Sequence, residues 1–135
     1  MSVMVADHAR RAYQTSQVQV EDGIGLVVQL YDGMIGFLGR GAELLRAQRL
    51  PEAGAQIRRA TDIIGELQAV LDLDRGGEIA FNLDRIYVYC RRRIMEGHLQ
   101  NDAAALDEVS RLLAPLRDAW SEAHDKQAEL AGAAR

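Results

Sequence analysis

Histidines and the carboxylates near them are the residues of this sequence that could hold a metal ion or transfer a proton. The three histidines, His8, His98 and His124, lie far apart along the chain. A di-iron site in a helical bundle uses Glu-x-x-His motifs that project inward from two helices. The nearest approach to that motif is Glu96-Gly97-His98, whose spacing places the two side chains about 200° apart on a helix. We therefore predict no metal site.

The sequence also lacks the pattern of a nucleophilic or phosphate-binding site. Cys90 lies in an apolar stripe, where a small core residue is the favoured interpretation. Gly23-Ile24-Gly25 lacks the preceding strand and the continuation of a phosphate-binding loop. Most carboxylates are spaced as on a helix surface, where solvation or ion pairing is their usual role. Because no acid, base and oxyanion site come together, we predict that the chain is not an enzyme and needs no cofactor.

The composition is that of a folded protein with an acidic surface. Of 135 residues, 48% are apolar, and the formal net charge is −4. An acidic surface repels phosphate backbones, so we expect no nucleic-acid partner. The most apolar stretch, Ile24 to Leu38, is too short and too polar to cross a bilayer. With one cysteine and no secretory signal pattern at the N-terminus, the expected location is the cytosol, without membrane insertion.

Four helical stretches account for nearly the whole chain. Their predicted bounds are 22–46, 51–73, 78–99 and 102–129, with Asn101 or Asp102 as the cap of the fourth. Helices of this length with short connections favour an all-α fold, an antiparallel up-and-down four-helix bundle. We expect one domain over residues 1–135, with an N-terminal extension (1–21), the bundle (22–129) and a tail (130–135).

Apolar residues at spacings of three and four predict an inward face for the last three helices. The predicted inward residues are Ala53, Ile57, Ala60, Ile64, Leu67 and Leu71 in the second helix, Ile79, Leu83, Ile86, Cys90, Ile94 and Leu99 in the third, and Leu106, Val109, Leu112, Leu113, Leu116 and Trp120 in the fourth. Gly76 and Gly77 are expected to form a tight turn between the second and third helices. Pro115 should kink the fourth helix near residues 111–114.

The first helix is apolar in almost every direction, which is unusual for a bundle helix. We expect it to leave apolar surface for a partner, for a folded-back terminus or for self-association, which leaves room for a weak homodimer. The alternative is simple burial in the core. The helix also carries Gly33, Gly36, Gly39 and Gly41, each costing about 0.8–1 kcal/mol relative to alanine. Close helix packing is the preferred explanation, and close approach of a partner backbone is the alternative.

A run of three arginines, Arg91-Arg92-Arg93, covers about 200° of the third helix. These side chains therefore cannot all point the same way. We expect two of them to be solvated and one to lay its stem along apolar surface. This arrangement does not indicate a nucleic-acid site.

Short sequence motifs spread along the chain, called words below, recur in a known protein family in the same order. They are Ala12-Tyr13-Gln14, Leu30-Tyr31-Asp32-Gly33, Leu71-Asp72, Gly76-Gly77-Glu78-Ile79-Ala80, Asn82-Leu83, Tyr87, Asn101-Asp102, Leu106-Asp107-Glu108-Val109 and Leu116-Arg117-Asp118-Ala119-Trp120. Over residues 10–123 these words together resemble the FliS family of flagellin export chaperones. Two features depart from the family pattern: Val20-Glu21-Asp22-Gly23 stands where Ser-Pro is common, and Pro115 interrupts the fourth helix.

The resemblance implies a chaperone that binds the C-terminal segment of unassembled flagellin. Such a protein prevents premature polymerisation and assists delivery to the flagellar type III export gate, where FlhA is a further partner. The resemblance also implies that the segment before the first helix is a short mobile cap that yields to the client. Recognition would place an amphipathic client helix in an apolar groove between bundle helices.

The residues that the resemblance assigns to the flagellin groove or cap are Tyr13, Leu30, Tyr31, Leu71, Ile79, Leu83 and Tyr87. Tyr13 belongs to the cap, and removal of residues 1–16 should change client affinity. For the other six residues, an ordinary core role is the alternative. Two other classes of function stay open at this point: a bundle enzyme with a metal site, and a self-assembling protein that uses the first helix as its interface.

Overall fold

A computed structural model describes residues 23–133 of the chain. These residues form four helices: α1 Gly23–Arg46, α2 Leu50–Ala69, α3 Gly77–Gln100 and α4 Ala103–Ala133. The described part contains no strand, and the predicted all-α four-helix fold is confirmed. The predicted N-terminal cap, including Tyr13, lies outside the described residues. Among the helices of residues 23–133, none is long and apolar enough to span a bilayer.

Contacts between the helices show that neighbours run antiparallel. α1 packs mainly against α2 and α4, and α3 contacts the same two helices. Near the end of α1, Gly41 approaches Ile57 in the first half of α2 and Leu106 at the start of α4. Near the end of α2, Gln68 donates a 3.1 Å hydrogen bond to Asp84, close to the start of α3. Each helix thus reverses the direction of the one before it, which is the predicted up-and-down arrangement.

The core contains most of the residues that were predicted to point inward. The buried ones are Ala53, Ile57, Ala60, Ile64 and Leu67 on α2, Leu83, Cys90 and Ile94 on α3, and Leu106, Val109, Leu113 and Trp120 on α4. The prediction is wrong for Ile79, Leu99 and Leu112, which are exposed. With about 3.6 residues per turn, a helix that turns Tyr87 and Ile94 inward carries Leu99 to its outer side.

The connection between α2 and α3 is longer than the predicted tight turn, because α2 ends at Ala69 rather than near residue 73. The carboxylate of Asp72 accepts hydrogen bonds from the backbone N–H groups of Asp74 (3.1 Å) and Arg75 (3.0 Å). These bonds offer the backbone an alternative to helix, so residues 70–76 form an ordered loop. Gly77 then starts α3 with a φ of 56°, a left-handed conformation that glycine adopts without strain.

Asn101 and Asp102 form the connection between α3 and α4. Asn101 ends α3 in the left-handed conformation, with a φ of 54°. Oδ1 of Asp102 accepts a 3.0 Å hydrogen bond from the N–H of Ala104 and so caps α4. α4 then runs as one helix through Pro115 to Ala133, beyond the predicted end at residue 129. The kink near residues 111–114 stays a prediction.

The apolar surface of α1 is largely covered. Val27, Tyr31, Met34, Leu38 and Leu45 are buried. The other large apolar residues of the helix are at least half-buried, and none of them is exposed. α1 has a helix packed on each side, and Ile24, Val28, Leu30, Ile35, Phe37 and Leu44 are partly buried. The expectation that α1 offers apolar surface to a partner, to a folded-back terminus or to a second copy stays a prediction. The large apolar side chains that are exposed on the described helices lie mostly on α3.

The glycines of α1 occupy different environments. A Cβ at Gly41 would lie 3.3 Å from Ile57, so close helix packing accounts for this residue. A Cβ at Gly39 would meet no atom within 4 Å, and one at Gly36 would meet only the Arg40 guanidinium, at 3.5 Å. The preferred explanation by close packing is wrong for Gly36 and Gly39, because both point away from neighbouring helices.

Two arginines of the run are exposed, as predicted, whereas contact of an arginine stem with apolar surface stays a prediction. Arg91 and Arg92 are exposed, and Arg93 is half-buried. Arg93 donates hydrogen bonds to Glu96 (2.9 Å) and Glu108 (3.2 Å), the second of which links α3 to α4.

Candidate functional site

A groove that is open to solvent lies between α3 and α4, with a volume of 630 Å³. Asn82, Arg85, Ile86 and Tyr89 line it from α3, and Glu108, Leu112, Pro115 and Leu116 line it from α4. The residues fall at spacings of three and four on each helix, so each helix contributes one continuous strip to the groove. We call it the α3–α4 groove.

The lining of the groove is mainly apolar on its α4 side. Leu112 is 42% exposed, Leu116 is half-buried, and Pro115 lies between them in sequence. Ile86 faces them from α3 and is half-buried. A strip of partly exposed apolar side chains in a concave surface is the form in which bundles receive the apolar face of a partner helix.

A polar cluster lies at one end of the groove. The hydroxyl of Tyr89 donates a hydrogen bond to Glu108, and Arg93 donates another to the same carboxylate. The bond from Tyr89 is the main cause of a lowered pKa for Glu108, and the bond from Arg93 acts in the same direction. Conversely, the bond to Glu108 raises the pKa of Tyr89. These bonds thus favour the ionised form of Glu108, and both of its hydrogen-bond donors are on α3.

Three of the predicted groove residues lie in the core instead of in the groove. Tyr31, Leu83 and Tyr87 are all buried. The hydroxyl groups of Tyr31 and Tyr87 share a hydrogen bond across the bundle, from α1 to α3. Burial raises the pKa of Tyr31 to about 12. These three residues therefore have the ordinary core role that was the alternative to groove binding. A direct role in client binding stays a prediction.

Trp120 completes this central cluster. Its indole ring is buried, and its Nε1 has no hydrogen-bond acceptor within the described residues. The indole N–H lies close enough to the Tyr31 hydroxyl to lower the Tyr31 pKa slightly. Burial has the larger effect and raises that pKa. The cluster therefore anchors α4 on the core, and it does not line the groove.

The remaining predicted site residues are dispersed. Leu30 and Leu71 are half-buried and pack against the core, and Ile79 is 41% exposed at the start of α3. None of these three lines the α3–α4 groove. Their contribution to a client site also stays a prediction.

The sequence prediction missed most of the residues that line the groove. The spacing of Ile86, Leu112 and Leu116 predicts an inward face, whereas the structure places these residues in the groove. The signal that marks them is a second row of apolar residues, displaced sideways from the core row of each helix. Tyr89 gave no signal by itself, because its role depends on Glu108 from the neighbouring helix.

Two features bear on chemistry at other positions. Within residues 23–133, no three His, Cys, Asp or Glu side chains are grouped so that they could hold a metal ion. Cys90 is buried, and burial raises the pKa of its thiol to about 11. A thiol in that state is protonated at neutral pH and is a poor nucleophile.

Comparison with known proteins gives a consistent result over most of the chain. The family model described as flagellar protein FliS matches residues 6–127. The chain is 37% identical over 123 residues to the flagellar secretion chaperone FliSB of Pseudomonas aeruginosa, an alignment that covers 87% of this chain and 96% of the relative. It is 36% identical to the flagellar secretion chaperone FliS of Salmonella typhimurium, covering 82% and 87%. The FliS of Bacillus subtilis is 28% identical, covering 89% of both chains.

Proposed function

Because the chain belongs to the FliS family of flagellar proteins, we propose that it is a flagellin-binding export chaperone. In this proposal it binds the C-terminal segment of unassembled flagellin and masks it. A masked segment cannot form the helical contacts of the filament, so polymerisation in the cell is prevented. The same complex is then delivered to the flagellar type III export gate, where FlhA is a further partner.

The observation that best supports this proposal is the α3–α4 groove. It is concave, mainly apolar and open to solvent, and it is framed by two long helices. An unfolded segment that becomes an amphipathic helix on binding could place its apolar side chains over Ile86, Leu112 and Leu116. The polar cluster of Tyr89 and Glu108 would then set the end of the bound helix.

The proposal includes four further points. The protein acts by binding and not by catalysis, and it works in the cytosol. Residues 1–21, which lie outside the described residues, form a cap that competes with the client for the bundle surface. The bundle of residues 22–129 is the client-binding domain.

The test is a calorimetric titration of the full chain with the C-terminal segment of flagellin from the same organism. We expect saturable one-to-one binding with a large negative heat-capacity change, because apolar burial accompanies folding of the client. Leu112→Gln places a polar side chain in the groove and should weaken binding about tenfold. A chain without residues 1–16 should bind with a changed affinity, and an unchanged affinity would contradict the cap.

The matched control is Leu130→Gln. Leu130 is another exposed leucine of α4, but it does not line the groove. This variant should bind flagellin as tightly as the unchanged protein does. The absence of saturable binding would contradict the proposed function, and equal weakening by both variants would contradict the groove as its site.

A further inference from the structure

A second apolar surface runs along the outer side of α3, on a different face from the α3–α4 groove. Phe81, Val88 and Met95 recur every seven residues, and Leu99 follows one turn later. Their side chains are exposed to 53%, 53%, 63% and 77%. At about 1.5 Å per residue, the row is about 27 Å long. We call it the α3 outer stripe.

Residues seven apart return to nearly the same side of a helix, so the row can lie along a partner helix, with Arg85 and Arg92 at the positions between its apolar residues. α3 contacts α2 and α4 through its other faces, and the core of the bundle does not include these four residues. Single exposed apolar residues are ordinary, whereas an aligned row along a whole helix marks an interaction surface. The stripe is therefore suited to a helical partner.

Arginines border the middle of the stripe. Arg85 and Arg92 follow one edge, and the guanidinium of Arg85 lies 5.9 Å from the centre of the Phe81 ring. Arg91 follows the other edge. Two carboxylates lie beside the stripe: Asp84 accepts a hydrogen bond from α2, and Glu96 lies 3.8 Å from the Arg92 guanidinium. The middle of the stripe thus presents more positive than negative charge.

A hollow of 220 Å³ between α2 and α3 adjoins the stripe at Met95. Arg58 and Arg91 line this hollow, and Asp62 contributes a carboxylate. An apolar side chain of a partner lying on the stripe could enter the hollow beside Met95. The positive character of this face contrasts with the net charge of −4 of the whole chain.

We propose that the α3 outer stripe is a docking surface for an acidic amphipathic helix of another protein. The partner helix has apolar side chains at heptad-like spacing, which are buried on the stripe, and carboxylates on its flanks, which meet the arginines. A second copy of this chain fits less well, because antiparallel pairing about Val88 would bring Arg85 of each copy to the level of Arg91 of the other, with Arg92 one residue further along. This surface is additional to the flagellin site proposed above.

The test uses a fluorescein-labelled designed peptide of about three heptads, with leucine at positions a and d and glutamate at e and g. A matched peptide with lysine at e and g is the control. Fluorescence anisotropy with the full chain should show saturable binding of the glutamate peptide and at least about tenfold weaker binding of the lysine peptide. In spectra of methyl-labelled methionine, the glutamate peptide should shift the signal of Met95 and leave that of the buried Met34 unchanged.

Substitutions on the stripe test the two parts of the proposal separately. Val88→Gln should weaken binding of the glutamate peptide about tenfold, by removing apolar contact. Arg92→Glu should weaken it to a similar extent and should strengthen binding of the lysine peptide. Leu130→Gln, which lies on neither surface, should have no effect. Leu112→Gln should weaken flagellin binding without affecting the glutamate peptide, so the two proposals can fail independently.

Three results would overturn the docking surface. Equal affinity for the two peptides would remove the basis for an acidic partner. Binding that Val88→Gln leaves unchanged would place the peptide elsewhere on the protein. A dimer in light scattering that Val88→Gln dissociates would show that the stripe pairs two copies of this chain.

Discussion

Gly36 and Gly97 are both helical glycines, but their surroundings differ in a way that decides what a methyl group would do. A Cβ at Gly36 would contact only the flexible end of Arg40. A Cβ at Gly97 would lie 2.9 Å from the Cβ of Ala105 and 3.0 Å from the carbonyl oxygen of Asp102. Gly97 therefore permits the close approach of α3 and the start of α4, whereas Gly36 has no such role within the described bundle.

Gly36→Ala should stabilise the protein, and Gly97→Ala should destabilise it. Alanine in place of a helical glycine whose Cβ has room raises the free energy of unfolding by about 0.5–1 kcal/mol, because the unfolded chain loses fewer conformations on folding. At position 97 the clash with backbone atoms outweighs this gain. Urea denaturation measures both changes. A loss of stability in Gly36→Ala would contradict the outward orientation, and reduced flagellin binding by a stable Gly36→Ala would support close approach of a partner backbone there.

The start of α4 shows how one side chain defines an element. Four N–H groups at the beginning of a helix lack partners within the helix. The carboxylate of Asp102 accepts a bond from one of them, that of Ala104, while the backbone N–H of Asp102 donates to Gly97 O at 2.8 Å and closes α3. Asp102 thus ends one helix with its backbone and begins the next with its side chain.

Asp102→Ala should lower the free energy of unfolding by roughly 0.5–2 kcal/mol, because the N–H of Ala104 loses its acceptor. Asp102→Asn is the matched control, since its amide oxygen can accept the same bond. Urea denaturation of the three proteins gives the comparison. If the asparagine variant lost as much stability as the alanine variant, the charge of Asp102 at the helix N-terminus would be the stabilising feature rather than the hydrogen bond.

At the scale of the whole bundle, a buried cluster of Tyr31, Tyr87 and Trp120 joins α1, α3 and α4. The shared hydrogen bond between the two hydroxyls satisfies both groups in an apolar interior, where an unpaired hydroxyl is costly. Burial raises the pKa of Tyr31 to about 12 and that of Cys90 to about 11. In the folded protein both groups therefore stay neutral at pH values where they ionise in the unfolded chain.

Stability should fall at alkaline pH. Between about pH 9 and pH 12 the unfolded chain releases protons that the folded protein retains, so the free energy of unfolding decreases as pH rises. This stabilising contribution is complete below the unfolded pKa values and is lost through the folded ones. Urea denaturation across this range measures the slope. Tyr31→Phe should show a smaller decrease above about pH 10, and an identical slope would contradict the role of Tyr31.

The properties that depend on neighbouring residues along the chain could be predicted from the sequence. The four helices, the inward face of α2 and a cap at Asn101 or Asp102 follow from apolar spacing and from local hydrogen bonding, and the structure places the cap at Asp102. The core role of Cys90 and the division of the arginine run follow in the same way. The family resemblance rests on words whose order is likewise a property of the chain, and the family match confirms it.

The rotation of each helix about its own axis was decided only by the tertiary structure. Apolar rows about 100° apart on α3 have similar spacing, so the sequence cannot tell which row packs inward. Packing against α2 and α4 buries the row of Tyr87, leaves Ile86 in the groove and exposes the row of Val88. The groove and the outer stripe exist for that reason, since both depend on how two helices fit together rather than on either helix alone.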